Sequence, residues 1–268
     1  MANQVNTLVL QNTNNMLTGM LNKEADALPK GFNTLRFKQN VMTVLNDNDI
    51  SNMKGQEFNL ARCIMKGAYL GLDFMNKECY VITFGGKPQF MTDYKGEEKL
   101  AKKYSVTPIK DIYAKLVRED DEFEEGVIKG QQYINFKPKP FNTGEILGAF
   151  AIVYYRDGSM AYEVMSKEEI EYVRDNFSKQ KGGAAWTKSF GEMAKKTVLR
   201  RLCKHIELDF DSLEQQKVWE ETSEMEFADN NSKVDDRPAE KSQMEKELEE
   251  SGVIENEYVD TPFKEVED

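Results

Sequence analysis

Charge is distributed along this sequence in a way that limits how much of it can fold. Residues 1–205 hold 30 Lys+Arg against 25 Asp+Glu, a balance of +5, whereas residues 206–268 hold 6 against 22, a balance of −16. From about Glu214 onward, acidic runs such as Glu220-Glu221, Asp235-Asp236 and Glu265 to Asp268 dominate, and aromatic and β-branched residues are sparse. Such a stretch cannot bury enough apolar surface to offset roughly 1 to 2 kcal/mol of backbone ordering entropy per residue. It is therefore expected to stay disordered, with only Glu240 to Glu250 and the island Val253-Ile254 with Tyr258-Val259 able to order on a partner. The chain divides into an N-terminal arm (1–30), a core (31–210) and an acidic tail (211–268) suited to binding partners or to solvating the protein.

The remaining composition excludes several classes. Hydrophobic residues make up 40% of the 268, enough for a packed core, yet no apolar run approaches the ~18 residues a bilayer span needs. Met1 to Leu10 lacks the basic, apolar and small-residue regions of a secretory signal, so a soluble, cytoplasmic protein is expected. Three cysteines, Cys63, Cys79 and Cys203, fit neither a disulfide framework nor paired zinc spacing. The single histidine, His205, leaves little for histidine-based acid/base chemistry. No Gly-x-x-x-x-Gly-Lys-Ser/Thr occurs, so no phosphate-binding loop of that type is present.

Hydrophobic spacing gives a weak amphipathic helix before the Leu28-Pro29-Lys30-Gly31 break, usable for self-assembly or core packing, then helices over Asn33 to Asn46 and Glu57 to Tyr69. Glu78 to Phe84 and Pro88 to Met91 read as a hairpin around Gly85-Gly86-Lys87. Asp93 caps a helix to about Tyr104. Five strand-length segments follow and read as a meander: Ile109 to Arg118, Phe123 to Ile128, Tyr133 to Phe136, Leu147 to Tyr155 and Met160 to Val164. Ser166 and Glu169 form a capping box opening a helix to about Phe177. A basic, glycine-containing connector, Ser178 to Ala185, leads into a last helix from Trp186 to Ile206. The order of helices, sheet and helices predicts an α+β fold with a largely antiparallel sheet.

The chemistry lies in cations. On the last helix Lys196, Arg200 and Lys204 recur every four residues with Lys195 and Arg201 beside them, and Glu192 is the only acid between Ser189 and His205. Lys95, Lys99, Lys102 and Lys103 repeat the pattern on the helix after Asp93, and Lys87 marks the hairpin tip. Clustering of this kind in a core of only +5 points to a polyanion, whose phosphates Lys and Arg contact with release of counterions. Tyr94 and Trp186 lie beside these cations, as aromatic rings do where single-stranded bases stack. Trp186 can serve equally as core; Phe190 suits the core better. Arg201 can pair internally with a carboxylate, and Lys188 is a plausible phosphate contact.

Two readings from other classes compete. Asp93, Glu97 and Lys99 form Asp-x-x-x-Glu-x-Lys, superficially a metal-dependent nuclease centre, although the Glu-x-Lys opens a helix where a strand is usual. An interaction protein whose acidic end imitates DNA is the other.

Three segments resemble the RecT-type single-strand annealing recombinases of phages and prophages. They are Gly67-Ala68-Tyr69-Leu70-Gly71-Leu72-Asp73; Cys79 to Phe84 continuing through Pro88-Gln89 to Tyr94-Lys95-Gly96 and Leu100 to Lys103; and Trp186 with Met193 to Leu202. The resemblance covers roughly Asn33 to Leu208, with Ala185 standing where the family often has proline. It implies ATP-independent annealing of complementary single strands in recombination, on homo-oligomeric rings or helical filaments in a bacterial host cytoplasm. It also implies a basic groove framed by sheet and helices, and a partner exonuclease or single-strand-binding protein, for which the acidic tail is the candidate contact. No enzymatic activity and no cofactor are expected, with Mg²⁺ at most a non-catalytic aid to duplex formation.

Overall fold

Apolar residues at i, i+3 and i+4 turn the first seventy residues into a helical layer. Helix α1 (Ala2–Lys23) buries Val9, Leu17, Met20 and Leu21 against α2 (Thr34–Asn46) and α3 (Glu57–Leu70), whose Val41, Ala61, Ile64 and Ala68 complete the seam. The computed structural model describes residues 2–178 and 181–224. Lys179 and the tail segments Glu240 to Glu250, Val253-Ile254 and Tyr258-Val259 lie outside the described residues. Of the two uses open to the segment 1–30, self-assembly or core packing, most of its apolar residues serve core packing, because α1 lays its apolar stripe on α3.

Asn33 caps α2 by accepting the Arg36 N–H at 2.9 Å, and α3 ends at Gly71, whose φ of +65° is the left-handed conformation a helix stop requires. Strands β1 (Cys79–Phe84) and β2 (Lys87–Thr92) form the expected hairpin, and Gly85 and Gly86 supply the two positive φ angles of its turn. Helix α4 (Tyr94–Tyr104) follows directly.

The five later strands are β3 (Ile109–Arg118), β4 (Glu122–Ile128), β5 (Gln131–Lys137), β6 (Ile146–Tyr155) and β7 (Met160–Ser166). All their pairings are antiparallel, but they are not one meander. β3, β6 and β7 make a three-stranded sheet with β6 in the centre, and β4–β5 is a separate hairpin between β3 and β6 in the chain. Strand β6 explains this arrangement through its period of two. Ala149, Ala151 and Val153 face the helices α5 (Lys167–Phe177) and α7 (Phe190–His205), while Phe150 and Ile152 face the β4–β5 hairpin. On that second face Phe123 and Phe136 lie 5.4 and 5.1 Å from the Phe150 ring. The helices thus cover one side of the sheet and the hairpin the other.

The capping box at α5 is present, with Ser166 N–H donating to Glu169 at 2.8 Å and Glu169 N–H donating to the Ser166 hydroxyl at 3.2 Å. The expected last helix is two pieces, α6 (Ala184–Lys188) and α7, broken at Ser189. The expectation of a disordered tail from residue 214 is also corrected at its start. Residues Leu213–Glu224 form helix α8, held on α3 by buried Val218 and by Trp219, which packs on Phe210 at 6.2 Å.

Candidate nucleic-acid interface

Helices α4 and α7 lie side by side, and their charges determine what each cation is able to do. Asp93 caps α4 by accepting the Lys95 N–H at 3.4 Å. Gly96 brings the helix so close to the start of β1 that a Cβ there would sit 2.2 Å from the Glu78 carbonyl oxygen. The same turn points Glu97 inward, where it is 2% exposed. It accepts from the Thr92 hydroxyl at 2.9 Å and from Arg200 Nε at 3.1 Å, and a terminal guanidinium nitrogen of Arg200 lies 3.0 Å away. Burial pushes the Glu97 carboxyl up, and Arg200, the Thr92 hydrogen bond and Lys204 pull against it. One turn earlier on α7, Lys196 sits 4.8 Å over the Tyr94 ring and 3.9 Å from Asp93.

The stripe Lys196, Arg200 and Lys204 therefore does meet acids, but they come from α4 rather than from its own helix. Arg200 is 23% exposed and is tied into the α4–α7 joint. Lys204 is pulled down to about 8 by burial, with Glu97 opposing the shift and Arg200 adding to it. Arg200 thus ties α7 to α4, and Lys204 lies half-buried one turn further along α7.

The lysines of α4 behave differently. Lys95, Lys99, Lys102 and Lys103, with Glu78 and Glu98, line an open groove of about 520 Å³. Lys102 pairs with Glu98 at 2.6 Å, and Lys103 donates to the Tyr104 hydroxyl at 2.9 Å. Lys99 pairs with Glu78 at 2.6 Å and donates to the Gly71 carbonyl at 2.9 Å, so it also ties α4 to the end of α3. Exposed pairs of this kind contribute about 0–1 kcal/mol, little enough for a phosphate to replace the carboxylate.

The other candidates scatter. Lys87 is exposed at the β1–β2 tip and Lys188 is exposed at the end of α6. Lys195 pairs with Glu192 at 2.6 Å. Arg201 pairs with Glu163 of β7 at 2.8 Å, and His205 Nε2 lies 3.9 Å from the same carboxylate, so that side of α7 faces the sheet. Trp186, for which the sequence leaves core and stacking roles both open, is 7% exposed, packs on Phe190 at 6.2 Å and donates its indole N–H to the Ser178 hydroxyl at 3.1 Å. Within Asp93, Glu97 and Lys99, each side chain has a different partner: a helix cap, a buried ion pair and a surface ion pair.

Two cations were missed. Arg62 and Lys66 stand one turn apart on α3, where Cys63 donates to the Pro88 carbonyl at 3.3 Å and brings the Lys87 end of the hairpin alongside. Their i,i+4 spacing was legible, but it lay within a helix read only for its apolar face.

Among the described residues no helix is long and apolar enough to cross a membrane. The sequence model of the RecT family matches residues 35–236. Protein RecT of Escherichia coli (strain K12) is 30% identical over 140 residues, 49% of this chain and 51% of that protein. The chain thus spans about half the length of that curated relative.

Proposed function

Because the chain belongs to the RecT family, we propose that it binds single-stranded DNA and anneals complementary strands during homologous recombination. The observation that supports this reading best is the pairing of α4 with α7. A buried ion pair fixes the two helices, and a row of exchangeable lysines lies along the outer side of the joint. A rigid cationic row neutralises phosphates without reading bases, so binding is independent of sequence and weakens with salt.

Annealing on such a row requires no nucleotide hydrolysis, because base pairing supplies the driving force. The protein lowers phosphate repulsion and holds one strand extended with its base edges open to another. Protomers set side by side would lengthen the row, which favours a homo-oligomeric ring or helical filament. Mg²⁺ enters only as a screening aid to duplex formation. An exonuclease or single-strand-binding partner is proposed for the acidic end, and the host compartment is the bacterial cytoplasm.

The test is annealing of complementary labelled oligonucleotides without ATP, with strand lengths measured afterwards. The reading expects duplex formation faster than in protein-free controls and strands of unchanged length. Mg²⁺-dependent shortening would instead establish a nuclease, and no acceleration with no DNA binding would reject annealing outright.

A further inference from the structure

Helix α8 ends beside the cationic edge of α3. Its Val218 is buried, and its Glu221 carboxylate pairs with the Lys66 ammonium. Glu224, the last residue of the helix, is less than one turn beyond Glu221. The chain therefore leaves the described fold next to Lys66, Arg62 and the Lys87 end of the hairpin. Cys63 marks the same place. Burial raises its thiol, Lys66 and Arg62 pull it down, and Glu221 pushes it up again, so the three charges act on one spot.

Beyond Glu224 the sequence has 44 residues with 15 Asp+Glu and 5 Lys+Arg, a balance of −10. Reach is no constraint, since a chain of that length extends to at most about 150 Å. A polyanion is thus tethered at the edge of a cationic surface, just beyond Glu221 of α8, which already pairs with Lys66 of that edge. One exposed pair is weak alone, but every further acid meets the edge without loss of translational freedom.

We propose that the α3 edge formed by Arg62 and Lys66, with Lys87 of the adjoining hairpin, is a polyanion-docking surface whose resting occupant is this chain's own segment 225–268. A consequence, which rests on the annealing reading, is that single-stranded DNA must displace this segment to spread from the α4 groove onto the α3 edge.

The docking is tested on the full chain by zero-length carbodiimide cross-linking of an equal mixture of isotopically heavy and light protein at low salt, followed by peptide mapping. Links from Lys66 or Lys87 to carboxylates of 225–268 within one isotopic form are expected. They should fade in 1 M salt, where the Debye length falls to about 3 Å. Links confined to other lysines, links between heavy and light chains, or no tail links at all would overturn the proposal. The consequence for DNA is tested separately with Glu245→Gln, Glu247→Gln, Glu249→Gln and Glu250→Gln combined in the full chain. Affinity for an oligo-dT strand is expected to rise about tenfold at low salt, with the gain vanishing as salt rises. Unchanged affinity with the cross-links intact rejects the competition. If the unaltered protein binds no DNA, the annealing reading fails while the cross-linking result stands by itself.

Discussion

Arg200→Ala separates scaffold from interface more cleanly than any other substitution. Glu97 is 2% exposed and faces the Arg200 guanidinium at 3.0 Å. Removing the arginine leaves a carboxylate without its main counter-charge inside the α4–α7 joint, a change that costs about 3–5 kcal/mol. For a domain of this size about 2–4 °C of melting temperature goes with each kcal/mol, so the transition should fall by roughly 10 °C. The loss must also depend on pH. Burial already holds the Glu97 carboxyl above its ordinary value, and Arg200 is the strongest influence pulling it down; without the guanidinium it rises further. A carboxyl raised on folding binds more protons folded than unfolded, so stability rises as pH falls from the folded value toward the unfolded one. The deficit of Arg200→Ala should therefore be greater at pH 8 than at pH 5.5. In a Glu97→Gln background the same arginine removal should cost only about 1 kcal/mol, because no buried charge is orphaned. Differential scanning of the four proteins at both pH values is the assay. An equal deficit in both backgrounds and at both pH values would refute the account of the joint.

Replacing Lys95, Lys102 and Lys103 by alanine together should leave stability within about 1 kcal/mol, since each is exposed or weakly paired. It should flatten the dependence of log affinity for single strands on log salt by about 2, at roughly 0.7 per phosphate contact; an unchanged slope in anisotropy titrations would remove these lysines from the DNA path. Lys204 has its ammonium pulled down to about 8, so between that pH and 10.5 the unfolded chain binds more protons and this group's contribution to stability rises with pH. Melting temperatures of Lys204→Met relative to the native protein should accordingly shift against the variant between pH 7 and pH 10. Gly96→Ala places a Cβ 2.2 Å from the Glu78 carbonyl oxygen and should cost about 1–3 kcal/mol by forcing α4 off β1, seen as a lower denaturation midpoint. Val218→Asp buries an unpaired carboxylate in the α3–α8 seam and should release α8 to limited proteolysis while leaving the sheet protected.

Local pattern carried most of the elements. The hairpin at Gly85-Gly86, the Asn33, Asp93 and Ser166 caps and the strand segments all follow from signals spanning fewer than ten residues, and the structure places them within a few residues of expectation. What failed was long-range. Nothing local to β4 tells it to pair with β5 and fold over β6 in place of extending a meander; that outcome depends on Phe123 and Phe136 finding Phe150. Helix α8 has few apolar residues in an acidic run, and its order comes from α3 and Phe210 rather than from its own propensity. The cation stripe on α7 has Glu192 as the one acid on its own helix between Ser189 and His205, but the counter-charge of Arg200 is Glu97, 103 residues away. The scarcity of local acids was legible, and the identity of the distant partner was not.

That distance also explains how a protein of net charge −11, whose residues 1–205 carry a balance of only +5, presents an ordered cationic row. A lysine row on a lone helix would repel itself and sway with the helix, giving no fixed spacing to successive phosphates. Here the inward faces of α4 and α7 are joined by Glu97 and Arg200, with Lys196 seated on Tyr94, so charge attracts across the seam where burial makes it strong. The outward face retains Lys95, Lys102 and Lys103, whose interactions are weak enough to be exchanged. The same residue types thus serve two purposes separated by exposure. A substitution on the inward side should register first in thermal stability, and one on the outward side first in the salt dependence of strand binding.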